Sequence, residues 1–171
     1  MRKLIPAFLL LMAAMFQTLE SRAQKVPEKA FPFELKDTLG QIVRLEDFKG
    51  KTLVMDFWFT GCKGCVQVAK SLHAEVIPHF RSDTSIVFIA VSIDINFLVW
   101  KRSVRSGIYS SAPELDLFTM GMGAEHPLFK HYGFNGCPQL LVIDAKGYLV
   151  SSSPPMPGPE LVNLIRQSKL N

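Results

Sequence analysis

Apolar and polar positions along this chain follow two different periods, and the changes of period mark its elements. An almost unbroken apolar run, Leu53 to Phe59, holds a single charge, Asp56. Rich in β-formers and without alternation, it predicts a strand buried on both faces. Ile86 to Ile93 repeats the pattern and predicts a second buried strand. Between them Val66, Ala69, Leu72, Val76 or Ile77, and Phe80 recur at three- and four-residue steps. That spacing predicts a helix from Lys63, which Pro78 kinks or ends. Strand, helix and strand make a βαβ unit with parallel strands and a right-handed crossover.

The flanking segments extend the sheet. Phe31, Phe33 and Leu35, then Ile42, Val43 and Leu45, bracket the turn residues Asp37 to Gly40 and predict an N-terminal β-hairpin. Asp94 is expected to open a second helix carrying Phe97, Trp100 and Val104 and ending at Gly107. Lys101, Arg102 and Arg105 fall off that stripe and read as a solvated face. Residues 108–124 have the weakest pattern, with a short strand at Leu115, Leu117 and Phe118. Pro127 suits the first turn of a short helix containing Leu128, Phe129 and Tyr132. Gln139 to Ile143 predicts a strand, Asp144 to Gly147 a tight turn, and Tyr148 to Ser151 an antiparallel return. Gly158-Pro159 starts a last helix with Leu161, Leu164 and Ile165 inward. The fold class is α/β: a mixed central sheet, helices on both faces and an N-terminal β-hairpin.

Composition adds an address and removes a class of partner. About half of the 171 residues are hydrophobic, enough for one domain with a proper core. Arg2 and Lys3, the apolar stretch Leu4 to Phe16, and Ser21-Arg22-Ala23 form a signal-peptide pattern over residues 1–23. Cleavage is expected after Ala23, leaving 24–171 as one exported domain, periplasmic or otherwise outside the cytoplasm. A retained anchor is disfavoured, because 13 apolar residues are short for a bilayer. Residues 24–171 carry 16 basic and 14 acidic side chains, so the balance does not argue for DNA or any nucleic-acid partner.

The chemistry concentrates after the first buried strand. Cys62 and Cys65, two residues apart, are delivered by that strand to the start of a helix. A C-x-x-C pair in that place is a redox device. Asp56, alone in the apolar strand, costs free energy unless it is paired or takes up a proton, which points to a task. A third cysteine, Cys137, has three readings: a packing residue, a third redox thiol, or a metal ligand with Cys62 and Cys65. The last is weakest, since a fourth ligand is not evident; His126 and His131 are near in sequence and read as surface histidines. His73 and His79 read the same way, and no metal ligand or cofactor is assigned.

The stretch Asp56-Phe57-Trp58-Phe59-Thr60-Gly61-Cys62-Lys63-Gly64-Cys65, followed later by Gly136-Cys137-Pro138 and a strand, resembles thioredoxin. With the leader, the hairpin and the extra helix around Trp100, it is similar to the exported TlpA and ResA type of thiol-disulfide oxidoreductase over roughly residues 31–169. The resemblance implies a thioredoxin-like fold, with Cys62 as attacking nucleophile, Cys65 as resolving thiol and Asp56 as its proton acceptor. It also implies substrate contacts from Trp58, Gly61, Cys137 and a cis Pro138. Expected partners are protein thiols and disulfides, with electrons from a membrane partner. Gly61, Lys63-Gly64 and Cys137 depart from the family pattern. Two alternatives stand beside this reading: a peroxiredoxin-like peroxide reductase, although Val54 to Phe59 lacks the proline such a site needs, and a thiol-based metal carrier.

Overall fold

The computed structural model describes residues 27–169; the leader read in residues 1–23, and its cleavage point, lie outside them. Seven strands form one sheet: β1 (Glu34–Asp37), β2 (Ile42–Arg44), β3 (Thr52–Trp58), β4 (Ile86–Ser92), β5 (Leu115–Phe118), β6 (Gln139–Ile143) and β7 (Leu149–Ser151). Their spatial order is β2-β1-β5-β4-β3-β6-β7. β3, β4 and β5 run parallel, and the remaining pairs are antiparallel. The hairpin β1–β2 therefore extends one edge, and β6–β7 extends the other.

Every residue of β3 is buried. The two-residue period of a strand divides that burial between two cores. Leu53, Met55 and Phe57 face Phe33 and Leu35 of the N-terminal segment and Leu128 and Phe129 of α3 (Pro127–His131). Val54 faces Val68 and Leu72, on and just after α1 (Lys63–Ser71), together with Leu161 and Ile165 of α4 (Pro159–Ser168). Trp58 faces Cys65 and Trp100, the latter on α2 (Phe97–Ser106). Helices thus cover both faces, as the apolar pattern requires.

Two helix boundaries differ from the expectation, each for a local reason. Regular α geometry stops at Ser71. The chain reaches Pro78 through a π turn at Leu72–Val76 and a 3-10 turn at Ile77–Phe80, which accommodate a residue without an N–H. Asp94 does not open α2. Asn96 does, its side-chain oxygen accepting from the N–H groups of Leu98 and Val99 at 2.9 and 3.1 Å. Asp94 is left to turn inward. Gly107, at φ +66°, ends α2 in the left-handed conformation that suits glycine.

The lateral register brings two carboxyl groups to one level of the sheet. Leu140, Asp56, Ala90 and Asp116 stand side by side across β6, β3, β4 and β5. Side chains at one lateral level share a face, so both carboxyls enter the layer beneath α1, separated by a strand that offers only Ala90.

Candidate active site

β3 ends at Trp58, and the chain turns through Phe59, Thr60 and Gly61 into α1. Cys62 is the N-cap of α1, and its sulfur accepts from the N–H of Cys65 at 3.0 Å. The two cysteines form a disulfide with Cα atoms 5.3 Å apart. Both are buried, Cys65 entirely and Cys62 with a sliver of surface. A sulfur at this cap meets the helix N–H groups and the positive end of the helix dipole, both of which favour its thiolate.

Gly61 and Gly64, which depart from the family pattern, each have a physical reading. Gly61 sits at φ +97°, and a Cβ there would meet nothing, so glycine answers the backbone and leaves open space beside Cys62. Its N–H donates to the Tyr109 hydroxyl at 2.7 Å. Gly64 answers a close approach: a Cβ would lie 3.1 Å from Cδ of Pro138. The Cys137–Pro138 bond is cis, and the Cys137 carbonyl oxygen stands 3.7 Å from the sulfur of Cys62. Pro138 and Cys62 thus meet across a glycine.

Trp58 has no exposed surface and stacks on Tyr109, with centroids 4.7 Å and planes 2° apart. The substrate contact expected of it is not open to a side chain in that position. It supports the cysteine loop from below, while exposed Phe59 and Gly61 flank the sulfur.

Asp56 is only 1% exposed, and neither carboxyl oxygen has a hydrogen-bond partner. Burial, and secondly the charge of Glu114, push its pKa well above the usual carboxyl range. A carboxyl so placed holds a proton more readily than a free one does. Glu114, whose side chain is 1% exposed, pairs with His73 at 2.6 Å. That bond, and to a lesser extent the charge of Glu114, raise the His73 pKa against an opposing burial effect. His73 is therefore not simply a surface histidine but the partner of a buried acid. Asp116 in the same layer is also raised, by burial first and then by Glu114, with the Ser110 hydroxyl opposing.

Cys137 is partly buried and free. Burial first, then the charges of Asp56 and Asp94, push its thiol up to about 12, which suits a packing residue and not a nucleophile. His126, weighed with it as a metal ligand, is not at the surface. It is only 5% exposed, its Nδ1 accepting from Leu128 N at 3.3 Å and its Nε2 directed at Glu34 O at 3.2 Å. Both ring nitrogens are engaged within the fold. His131 stacks on Phe31.

Sequence reasoning missed the residues that hold the loop. Asp94 accepts from Thr60 N at 2.9 Å, Thr60 Oγ1 at 2.8 Å and Ser92 Oγ at 3.0 Å. Ser103 of α2 closes the network at 2.7 Å from Thr60 Oγ1. The one available signal was a polar Ser92 and Asp94 ending an apolar strand, which reads equally well as a helix start. Tyr109 lay in the stretch with the weakest pattern and carried no signal.

Residues 26–152 match the model of the AhpC/TSA family. In sequence the chain is similar to the thiol-disulfide oxidoreductase ResA of Geobacillus thermodenitrificans, 28% identical over 146 residues, or 81% of this chain and 78% of the relative. It is also similar to ResA of Bacillus cereus, 26% identical over 139 residues, or 80% and 75%. In structure it is similar to the thioredoxin domain of a thiol-disulfide oxidoreductase from Bacteroides vulgatus. The TM-score is 0.67 at 23% identity, with 82% of this chain and 95% of that chain covered. The mixed seven-stranded sheet with its flanking helices is a thioredoxin-like fold.

Proposed function

The chain belongs to the AhpC/TSA family, and on that premise we propose that it is a thiol-disulfide oxidoreductase that reduces disulfides of exported proteins. The observation that carries the reading is the Cys62–Cys65 disulfide at the start of α1, with one sulfur near the surface and the other enclosed. The ResA relatives bear the name of the same activity.

In the reductive direction the Cys62 thiolate attacks one sulfur of a substrate disulfide. A mixed disulfide forms, and the other substrate sulfur leaves as a thiolate that takes a proton from solvent. Cys65 then attacks the sulfur of Cys62 and loses its proton to the Asp56 carboxylate, and the second substrate sulfur leaves as a thiolate that also takes a proton from solvent. The dithiol has become the Cys62–Cys65 disulfide, and the substrate has gained two electrons and two protons. Reloading by a membrane-bound dithiol donor runs the steps in reverse, and Asp56 returns its proton to Cys65 as that sulfur leaves. The closed layer around Asp56 supports this role, because a proton held there has no competing hydrogen bond. The open space at Gly61, with the Cys137 carbonyl near Cys62, supports approach of an extended substrate chain beside the cis proline.

Export rests on the leader pattern in residues 1–23, and mass measurement of the mature protein from the periplasm should place its N-terminus at Gln24. Among the described residues no helix is long and apolar enough to cross a membrane. The decisive experiment for the activity is a redox titration of the pair with thiol trapping. A reducing potential supports the assignment, whereas one near about −120 mV, typical of a disulfide-forming enzyme, overturns the direction. Direct peroxide turnover that survives Cys65→Ser would instead make it a peroxide reductase.

A further inference from the structure

Loops that follow adjacent parallel strands emerge side by side. At the ends of β3, β4 and β5 they are also tied together: Thr60 to Asp94 through two hydrogen bonds, and Thr119 N to Ser92 O at 3.2 Å. Seven of the eleven exposed large apolar side chains among the described residues stand on these loops and on the first turn of α2: Phe59 after β3, Ile95, Phe97, Leu98 and Val99 after β4, and Met120 and Met122 after β5. Ile95 is 78% and Leu98 71% exposed. The loops are in contact, since a Cβ on Gly123 would lie 3.0 Å from Cγ2 of Ile95. This apolar ground adjoins Cys62 directly, because Phe59 O accepts from Cys62 N at 3.1 Å.

The charge beside it has one sign. Residues 95–113 contain Lys101, Arg102 and Arg105 and no acidic residue. Trp100 and Ser103 fix the buried side of α2, so Leu98, Arg102 and Arg105, at steps of four and three, share its outer side. Lys101 lies over the Phe97 ring at 5.4 Å. Arg102 and Arg105 are exposed and enter no ion pair among the described residues. The exposed acid next to Met122 along the chain, Glu125, is paired with Lys130. A patch of this composition, apolar at the centre and cationic at one rim, suits the docking of a partner. Its complement is apolar with acidic residues on one side.

We infer that this face selects disulfide-bearing polypeptides whose sequence is apolar around the disulfide and acidic beside it, seating the apolar part on Phe59, Leu98 and Met122 and the acidic part on Arg102 and Arg105. The inference rests on the oxidoreductase reading and names its substrate class. The chemistry is that of the proposed reaction: enzyme dithiol, prepared with dithiothreitol, becomes disulfide, and peptide disulfide becomes two thiols.

The test uses the full mature protein and two synthetic peptides with the same intramolecular disulfide and the same flanking leucines, one bearing aspartates and the other lysines. The acidic peptide should be reduced with a kcat/KM about tenfold higher at low salt, and the ratio should fall toward one in about 0.5 M NaCl. Arg102→Glu with Arg105→Glu should invert the ratio; as a comparison within one protein preparation, this does not depend on the yield of folded variant. Leu98→Asn should lower kcat/KM for both peptides about fivefold, through KM. Equal rates on the two peptides, or an Arg102→Glu/Arg105→Glu protein that keeps the preference, overturn the inference. Binding to phosphatidylglycerol vesicles that the double variant abolishes, without any peptide preference, also overturns it and gives the face to lipid. Neutral 2-hydroxyethyl disulfide separates the two failures. If the wild-type protein does not reduce it, the oxidoreductase reading is at fault; if it does while the peptides are treated alike, only the docking assignment fails.

Discussion

Asp56 and Asp94 lie at the same end of the sheet, one on β3 and one just past β4, both largely out of water, and in opposite condition. Asp94 receives three donors, from Thr60 N, Thr60 Oγ1 and Ser92 Oγ. Asp56 receives none. Burial alone therefore says little about a carboxyl group. Donors pin a carboxyl group in place as an anchor, whereas their absence leaves it free to exchange a proton. Asp94 holds the loop that carries Cys62. Asp56 is kept in reserve beneath it.

The largest effect should come from breaking the anchored member. Asp94→Ala strands the Thr60 N–H and the Ser92 hydroxyl in a closed site and should cost about 3 kcal/mol of stability, read by urea denaturation. Asp94→Asn keeps an acceptor and should cost about 1 kcal/mol. If Asp94→Ala is neutral, the network is incidental and Asp94 is no anchor.

The reserve member should behave the other way round. Asp56→Asn should slow the Cys65-dependent step by about 10²-fold at neutral pH, measured by stopped-flow reduction of a disulfide substrate. It should not destabilise the fold, because the raised pKa of Asp56 carries its own pH dependence. In acid, both folded and unfolded chains hold the proton. As pH rises past about 4 the unfolded carboxyl ionises while the folded one stays neutral, so stability falls until the raised folded pKa is passed. Asp56→Asn should remove that slope, leaving the variant more stable than wild type above about pH 5. A variant that keeps the slope would assign the titration to another group.

The two carboxylates were unequally legible in the sequence, and the reason lies in how each is held. Asp56 announced itself, as one charge in a seven-residue strand buried throughout. Cys62 and Cys65 did so by spacing, and Pro138 by the strand behind it. The β-hairpin at Glu34–Arg44 and the parallel pair β3–β4 were visible in periodicity, which is local. Asp94 was misplaced because an acidic residue before a helical stripe looks like a cap, and only the tertiary bonds to Thr60, 34 residues away, show otherwise. Tyr109, Glu114 and His126 were unreadable for the same reason: their partners Gly61, His73 and Glu34 lie 48, 41 and 92 residues away. The leader and its cleavage point stand on the sequence pattern alone.

A smaller change should sharpen the contrast by altering the surroundings of Asp56 without touching it. Glu114→Gln removes the second cause of its raised pKa. The Asp56-linked limb of the rate profile should move to lower pH. The same substitution removes the hydrogen bond that raises His73. In wild type that pair contributes stability below the unfolded histidine pKa, and the contribution disappears as pH rises through the higher folded value. Glu114→Gln should flatten this dependence. The two readouts are independent: if the stability profile flattens and the rate profile does not move, Glu114 anchors His73 and has no hold on Asp56.

The smallest expected effect belongs to the third thiol. Cys137 packs beside Cys62 and Trp58 in the same cluster, yet its thiol is pushed up to about 12. Near pH 8 such a group is ionised to only about one part in 10⁴, against roughly a quarter for a free cysteine. Disulfide exchange proceeds through the thiolate, so proximity to Cys62 gives Cys137 no chemical access to it. Cys137→Val, which keeps the apolar volume, should leave the potential of the Cys62–Cys65 pair and the rate of substrate reduction within about twofold. Iodoacetamide applied to the reduced native protein at pH 8 should modify Cys62 and spare Cys137, as read by peptide mass. Labelling of Cys137 in the folded state, or a Cys62–Cys137 linkage trapped during turnover, would mean that burial does not silence this thiol. Closed surroundings would then be a weaker reason for Asp56 to hold its proton, because the same burial acts on both groups.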